Sequence, residues 1–75
     1  MNTKNILKRI TRNPNVLGGK PLIRGLRIGV DTILDDLACG YTFDEILKER
    51  PLLVKEDLVA CLLYASDAVL EKENA

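Results

Sequence analysis

Histidine and tryptophan are absent from this 75-residue chain, cysteine occurs twice, and aromatic residues amount to 4%. Without histidine the chain lacks both the side chain best suited to proton transfer at neutral pH and the commonest metal ligand. Ser66, Cys39 and Cys61 therefore have no imidazole to activate them as nucleophiles. Both cysteines lie in apolar stretches of helical periodicity, where a free thiol behaves as a small hydrophobe, so buried structural thiols are expected at each. No apolar run is longer than Leu58 to Ala65, eight residues, which is too short to cross a bilayer. The N-terminal residues reach only Ile6 and Leu7 before Lys8 and Arg9, leaving no signal-peptide core, and a cytosolic protein is expected.

A further absence is local. Residues 1–30 contain no acid, whereas Lys4, Lys8, Arg9, Arg12, Lys20, Arg24 and Arg27 all fall within them. Residues 31–75 hold all eleven acids and only four bases, so the two parts carry +7 and −7 in a chain of zero net charge. Such separation bears on potential and partners, not on fold.

What is present divides the single domain, 1–75, at the same place. Residues 1–29 form a basic strand-and-turn segment punctuated by Pro14, Gly18, Gly19, Pro21, Gly25 and Gly29, which leave no room for a long helix. The short apolar pieces Leu7 to Thr11, Pro21 to Ile23 and Leu26 to Val30 suit short strands joined by turns, and Gly18-Gly19 suits a turn with positive φ at one position. Residues 30–75 form an acidic portion of three helices. In the first, Val30, Ile33, Leu34 and Leu37 share one face, Asp31 is placed to cap the start, and Gly40 to end it in a left-handed conformation. Thr42 and Glu45 have the spacing of a capping box for a second, short helix with Phe43, Ile46 and Leu47 on its buried side, ended by Pro51.

The third helix runs from near Lys55 to about Glu71. Leu58, Cys61, Leu62, Ala65 and Val69 form one apolar stripe, and Val59, Leu63 and Leu70 a second. Two short helices cannot cover so wide an arc, and a chain this small has a marginal core of its own. A homodimer is expected, with Val59, Leu63 and Leu70 as candidate contacts to a partner helix.

Several features imitate sites. Asp31 with Asp35, and Glu45 with Glu49, share helix faces, but catalytic carboxylates need burial or close coupling and these lie opposite the apolar stripes. Gly18-Gly19-Lys20 is followed by Pro21 and has no glycine at position 14, so it is not a phosphate loop. These residues imply no catalytic group, metal or cofactor. The helix-turn-helix outline ends in an acidic helix, with Glu56, Asp57, Asp67 and Glu71 where a DNA reader carries bases or amides. If nucleic acid is bound, the candidate contacts are Lys8, Arg9, Arg12, Lys20, Arg24 and Arg27, which would equally suit an acidic protein surface or the acidic half of this chain.

The run Gly18-Gly19-Lys20-Pro21-Leu22-Ile23-Arg24-Gly25, followed by Arg27-Ile28, Val30, Ile33-Leu34, Leu37-Ala38 and Gly40, resembles the domain-of-unknown-function family numbered 433. Glu45-Ile46-Leu47, Pro51, Leu53, Glu56-Asp57-Leu58, Ala60, Leu63 and Tyr64-Ala65 extend the likeness over residues 9–66. The resemblance implies a mainly α, homeodomain-like (helix-turn-helix-like) three-helix unit preceded by short N-terminal strands, usually homodimeric. Family members are described as predicted antitoxins, often paired with a PIN-like ribonuclease toxin. Gly19, Pro21, Gly25 and Gly40 carry over as shape-setting positions, and Arg24 and Arg27 as polar residues without a settled role. Leu26 stands where threonine is common, Gly29 where proline is frequent, and Val54 where a capping Ser or Thr is usual. Valine accepts no amide hydrogen bond, so the last helix is expected to fray or shift at its start.

Overall fold

A computed structural model describes residues 2–74, with side chains from Asn2 through Glu71. Helix α1, Thr3–Leu7, opens the chain; Asn2 caps it by accepting a hydrogen bond from the Asn5 amide at 3.2 Å. Strands β1, Ile10–Thr11, and β2, Leu22–Ile23, pair antiparallel with Ile10 opposite Ile23 and Thr11 opposite Leu22. Helices α2, Val30–Ala38, α3, Phe43–Glu49, and α4, Lys55–Asn74, complete the chain. The fold is mainly α, with a small N-terminal hairpin and four helices among the described residues.

The basic segment thus differs from its sequence reading in three places. A five-residue helix replaces the first part of the expected Leu7 to Thr11 strand, and Leu7 is its last residue. The expected strand over Leu26 to Val30 contracts to one antiparallel bridge between Gly29 and Leu22, with the Ile23 amide donating to the Ile28 carbonyl at 3.0 Å. Between them Arg24 (φ 49°) and Gly25 (φ 73°) both occupy the left-handed region, as a primed turn requires, and the Leu26 amide closes it on the Ile23 carbonyl at 2.8 Å. The turn around Gly18-Gly19 holds three left-handed residues, Leu17, Gly18 and Gly19, where one was expected.

The helical part follows its pattern closely. Gly29 occupies the N-cap of α2 and has no side chain to cap with; Asp31, two residues on, accepts from the Thr32 amide at 2.9 Å and favours the positive helix end. The Gly40 amide donates to Leu37 and the Tyr41 amide to Asp36, a Schellman ending made accessible by φ 96° at Gly40. Thr42 and Glu45 form the expected capping box, the Glu45 amide donating to Thr42 Oγ1 at 3.2 Å and the Thr42 amide to Glu45 Oε1 at 3.0 Å. Those bonds from Thr42 hold the Glu45 carboxyl below its ordinary range.

Ile23 from the hairpin meets Val30 and Ile33 from α2, Ile46 from α3, Leu53 from the following turn, and Leu58 and Cys61 from α4 in one core. Burying each of the larger aliphatic side chains stabilises the fold by about 1.5–3 kcal/mol. Ile6 carries α1 onto α4 and is buried there. Cys61 is buried as expected and its thiol is pushed up to about 12, by desolvation first and then by the nearby Asp57 charge. Cys39 is free but exposed: it keeps right-handed helical backbone, and at about 100° per residue it falls on the side of α2 opposite Val30, Ile33 and Leu37.

Candidate binding surfaces

Asp57 is the one fully buried charged side chain among the described residues, so it does not join Glu56, Asp67 and Glu71 as an acid that α4 would turn toward phosphates. Four donors converge on its carboxylate. Arg9 Nη1 and Arg24 Nε reach Oδ1 at 3.1 and 3.0 Å, while Arg24 Nη2 and the Val54 amide reach Oδ2 at 3.2 and 2.9 Å. Arg24 Nη2 also donates to the Leu52 carbonyl at 2.7 Å. Burial would raise the Asp57 pKa, but the Val54 amide and the guanidiniums of Arg24 and Arg9 outweigh it and hold the carboxyl below its ordinary value of 3.8.

Local structure makes this convergence possible. The Arg24 amide donates to the Arg9 carbonyl at 2.6 Å, so the ladder places both arginines side by side at the end of the hairpin. The left-handed backbone of Arg24, costly for a non-glycine residue, is offset by three side-chain hydrogen bonds from its guanidinium. Val54 cannot cap α4, yet α4 begins at Lys55 as expected, because Asp57 supplies the reciprocal half of a capping box by accepting from the Val54 amide. The signal was present in Val54-x-x-Asp57, an acid at the third helical position; without a capping hydroxyl it did not stand out.

The six candidate contacts therefore separate. Arg9 and Arg24 pair with Asp57, and Lys20 with Asp31 at 3.4 Å. Arg12 donates through Nε to the Gly19 carbonyl at 2.9 Å and keeps its charge uncompensated. Lys8 and Arg27, with Lys4 beside them in the sequence count, are exposed and have no carboxylate within ion-pair distance among the described residues. The separation of +7 from −7 in the sequence is partly closed by the fold itself.

The second surface belongs to α4. Leu58, Ala60 and Cys61 are fully buried, whereas Leu62, Val69 and Leu70 are 45–55% exposed and Val59 and Leu63 half-buried. At about 100° per residue, Val59, Leu62, Leu63, Ser66, Val69 and Leu70 lie within one side of the helix. The expected partner-facing residues Val59, Leu63 and Leu70 share this side, and Leu62 and Val69 join them from the stripe assigned to the core. Asp31, Asp35, Glu45 and Glu49 are exposed, as their positions opposite the apolar faces required. No helix among the described residues is long and apolar enough to cross a membrane.

Comparison with known proteins agrees with this architecture. The family described as "Protein of unknown function (DUF433)" matches residues 10–65. The uncharacterized protein y4eO of Sinorhizobium fredii is 32% identical over 56 residues, which cover 75% of this chain and 25% of that protein. This chain thus spans about a quarter of that relative's length. The crystal structure of a DUF433 member protein from Anabaena variabilis superposes with a TM-score of 0.79 at 30% identity, covering 95% of this chain and 70% of the other. The family match covers the hairpin, the arginine-bound Asp57 and the buried half of α4 together, and the chain belongs to the DUF433 family.

Proposed function

We propose that this chain is a non-enzymatic, antitoxin-like binding protein that self-associates through the exposed side of α4 and shields a basic toxin surface with its acidic helices. The observation that carries the reading is the exposure of Leu62, Val69 and Leu70 on a helix whose other side is already in the core. Contiguous exposed aliphatic residues on a small domain mark a surface that another chain covers. The antitoxin role rests on the resemblance to a family of predicted antitoxins, for which a PIN-like ribonuclease is the partner implied. Complementary potential between the acidic helices and a basic nuclease cleft would favour such an encounter. Association with DNA, weak and salt-sensitive, falls to Lys4, Lys8, Arg12 and Arg27, the N-terminal cations with no carboxylate partner among the described residues.

Sedimentation of the wild type against Leu63→Glu and Leu70→Glu tests the self-association. The variants are expected to sediment as monomers with their helical signal kept, and a wild type of 8.4 kDa at high micromolar concentration overturns the reading. Fluorescence anisotropy on mixed-sequence duplexes tests the DNA arm, with Lys8→Ala and Arg12→Ala expected to weaken binding alike on every sequence. A second reading is a homodimeric interaction module with no nucleic-acid role. It is favoured by the internal pairing of Arg9, Arg24 and Lys20, which sets two carboxylates of this chain, Asp57 and Asp31, against three of the seven N-terminal cations. Absence of DNA binding at low salt by the folded protein decides for it.

A further inference from the structure

The two arginines on Asp57 are not exhausted by it. Asp57 is saturated by four donors, but Arg24 Nη1 and Arg9 Nε and Nη2 have no protein acceptor among the described residues. The side chains remain 31% and 38% exposed, and the group as a whole, two guanidiniums on one carboxylate, is left with a net positive charge. Their positions are fixed in advance by Asp57, by the Leu52 carbonyl and by the hairpin ladder, so little rotamer freedom remains to be lost when a ligand arrives.

Beside them stands apolar surface. Leu52, whose carbonyl holds Arg24, is 68% exposed, and Val54, whose amide is held by Asp57, is 45% exposed. This patch lies just before the start of α4, whereas the exposed Val69 and Leu70 lie toward the other end of that helix. We propose that Arg9, Arg24, Leu52 and Val54 form a docking site for an acidic, aliphatic segment of a partner protein, one carboxylate bonding to the guanidinium pair and a neighbouring aliphatic side chain covering Leu52 and Val54. A carboxylate matches the planar donor edge of a guanidinium in two-bond geometry. A nucleic-acid backbone would satisfy the arginines but leave Leu52 and Val54 facing a solvated polyanion, and would bring further phosphates toward Glu56 in the first turn of α4. The inference rests on the reading of this chain as a binding module and adds a second, chemically distinct contact to it.

The probe is a capped hexapeptide of alternating glutamate and leucine, with its glutamine counterpart and a short mixed-sequence duplex as the other arms. Titration into the isotope-labelled full chain is followed by NMR at the Arg9 and Arg24 Nε–H signals and the Leu52 and Val54 amides. Saturable shifts at all four with the acidic peptide are expected, with none from the glutamine peptide. Leu52→Ser, at an exposed position that leaves the core intact, should weaken binding about tenfold through loss of the aliphatic contact. Arg9→Lys keeps the charge but loses the fork and should weaken it by a similar factor, roughly tenfold. Equal shifts from the glutamine peptide, shifts at these residues from the duplex alone, unchanged affinity in Leu52→Ser, or no response at millimolar peptide each overturn the proposal. The sedimentation of the α4 variants is independent of all these outcomes, so the two readings fail separately.

Discussion

The first two turns of α4 and the rest of it carry similar apolar content and have opposite fates. Leu58, Ala60 and Cys61 are sealed beneath α1, α2 and α3, and even the acid among them, Asp57, is buried. From Leu62 onward the same helix turns Leu62, Val69 and Leu70 to solvent. The molecule measures 37 Å in its longest direction and 27 by 25 Å in the others, while twenty helical residues extend about 30 Å. Helices of nine and seven residues cannot cover that length. Apolar periodicity marks a helix face, and does not say how much of that face the rest of the chain covers.

The sharpest test of that contrast is a matched pair of truncations. Leu58→Ala should cost about 3–4 kcal/mol, the cavity being lined by the rest of the core. Leu62→Ala should cost less than about 0.5 kcal/mol in dilute protein, as at other exposed positions. Urea unfolding at several protein concentrations checks both. A concentration-dependent midpoint that Leu62→Ala abolishes would place a second chain on the exposed half.

Next comes Asp57→Ala, which leaves two guanidiniums and the Val54 amide without their common acceptor. The expected loss is about 2–3 kcal/mol, below that for a fully buried pair because both arginines stay about a third exposed. Thermal unfolding should record a drop of roughly 10–20 °C for a domain of this size. The pH dependence follows from the lowered Asp57 pKa. Its contribution is present in full above the ordinary value of 3.8 and is lost as pH falls through the lower folded value. Asp57→Asn should therefore flatten the fall in stability below about pH 4, a window set by the carboxyl range. An unchanged acid limb would show that other carboxylates dominate it.

Smaller effects are expected at the end of α2. Gly40, at φ 96°, opens into free space, so a substitution there is penalised by backbone conformation and not by a clash. Gly40→Val should cost about 1–2 kcal/mol and Gly40→Asn about half of that, since asparagine enters the left-handed region more readily. Equal melting temperatures for the two variants would remove the left-handed ending as the reason for glycine. The smallest perturbation compares the two thiols without mutation. Cys39 should react with a thiol reagent in the native protein at once, and Cys61, buried and pushed up to about 12, only as the chain opens. Equal native reactivity of both would contradict the packing of the proximal half of α4.

Legibility in the sequence follows the range of the interactions. Thr42 and Glu45, and Gly40, were readable because each depends on residues within a few positions of one another; the start of α4, expected to fray at Val54, is held instead by Asp57. Helix α1 was missed: five residues are too few to show periodicity, and what holds it is Ile6 against α4, far along the chain. Cys39 was misplaced because an apolar stretch is no sign of burial by itself, and its angular position lies opposite the apolar face of α2. The candidate surfaces divide in the same way. The breadth of the α4 arc could be counted from the sequence, and Val59, Leu63 and Leu70 lie on the same side of the helix as the exposed Leu62 and Val69. The engagement of Arg9 and Arg24 with Asp57 could not be, since the partners lie 48 and 33 positions apart.

By itself, then, the sequence determined three of the helices, the capping box of α3 and the left-handed end of α2, and the segregation of charge into a basic beginning and an acidic remainder. These depend on local backbone preference, hydrophobic period and composition. Tertiary structure decided which charges remain free and which apolar residues remain exposed. Two of the seven N-terminal cations became a clamp on a buried carboxylate, a third met Asp31, and one continuous apolar helix became half core and half surface. The physical reason is common to both outcomes. Charge neutralisation and apolar burial act over distances of a few ångströms in space, and a position in the chain does not specify its neighbours in space until the hairpin and helices have been folded against one another.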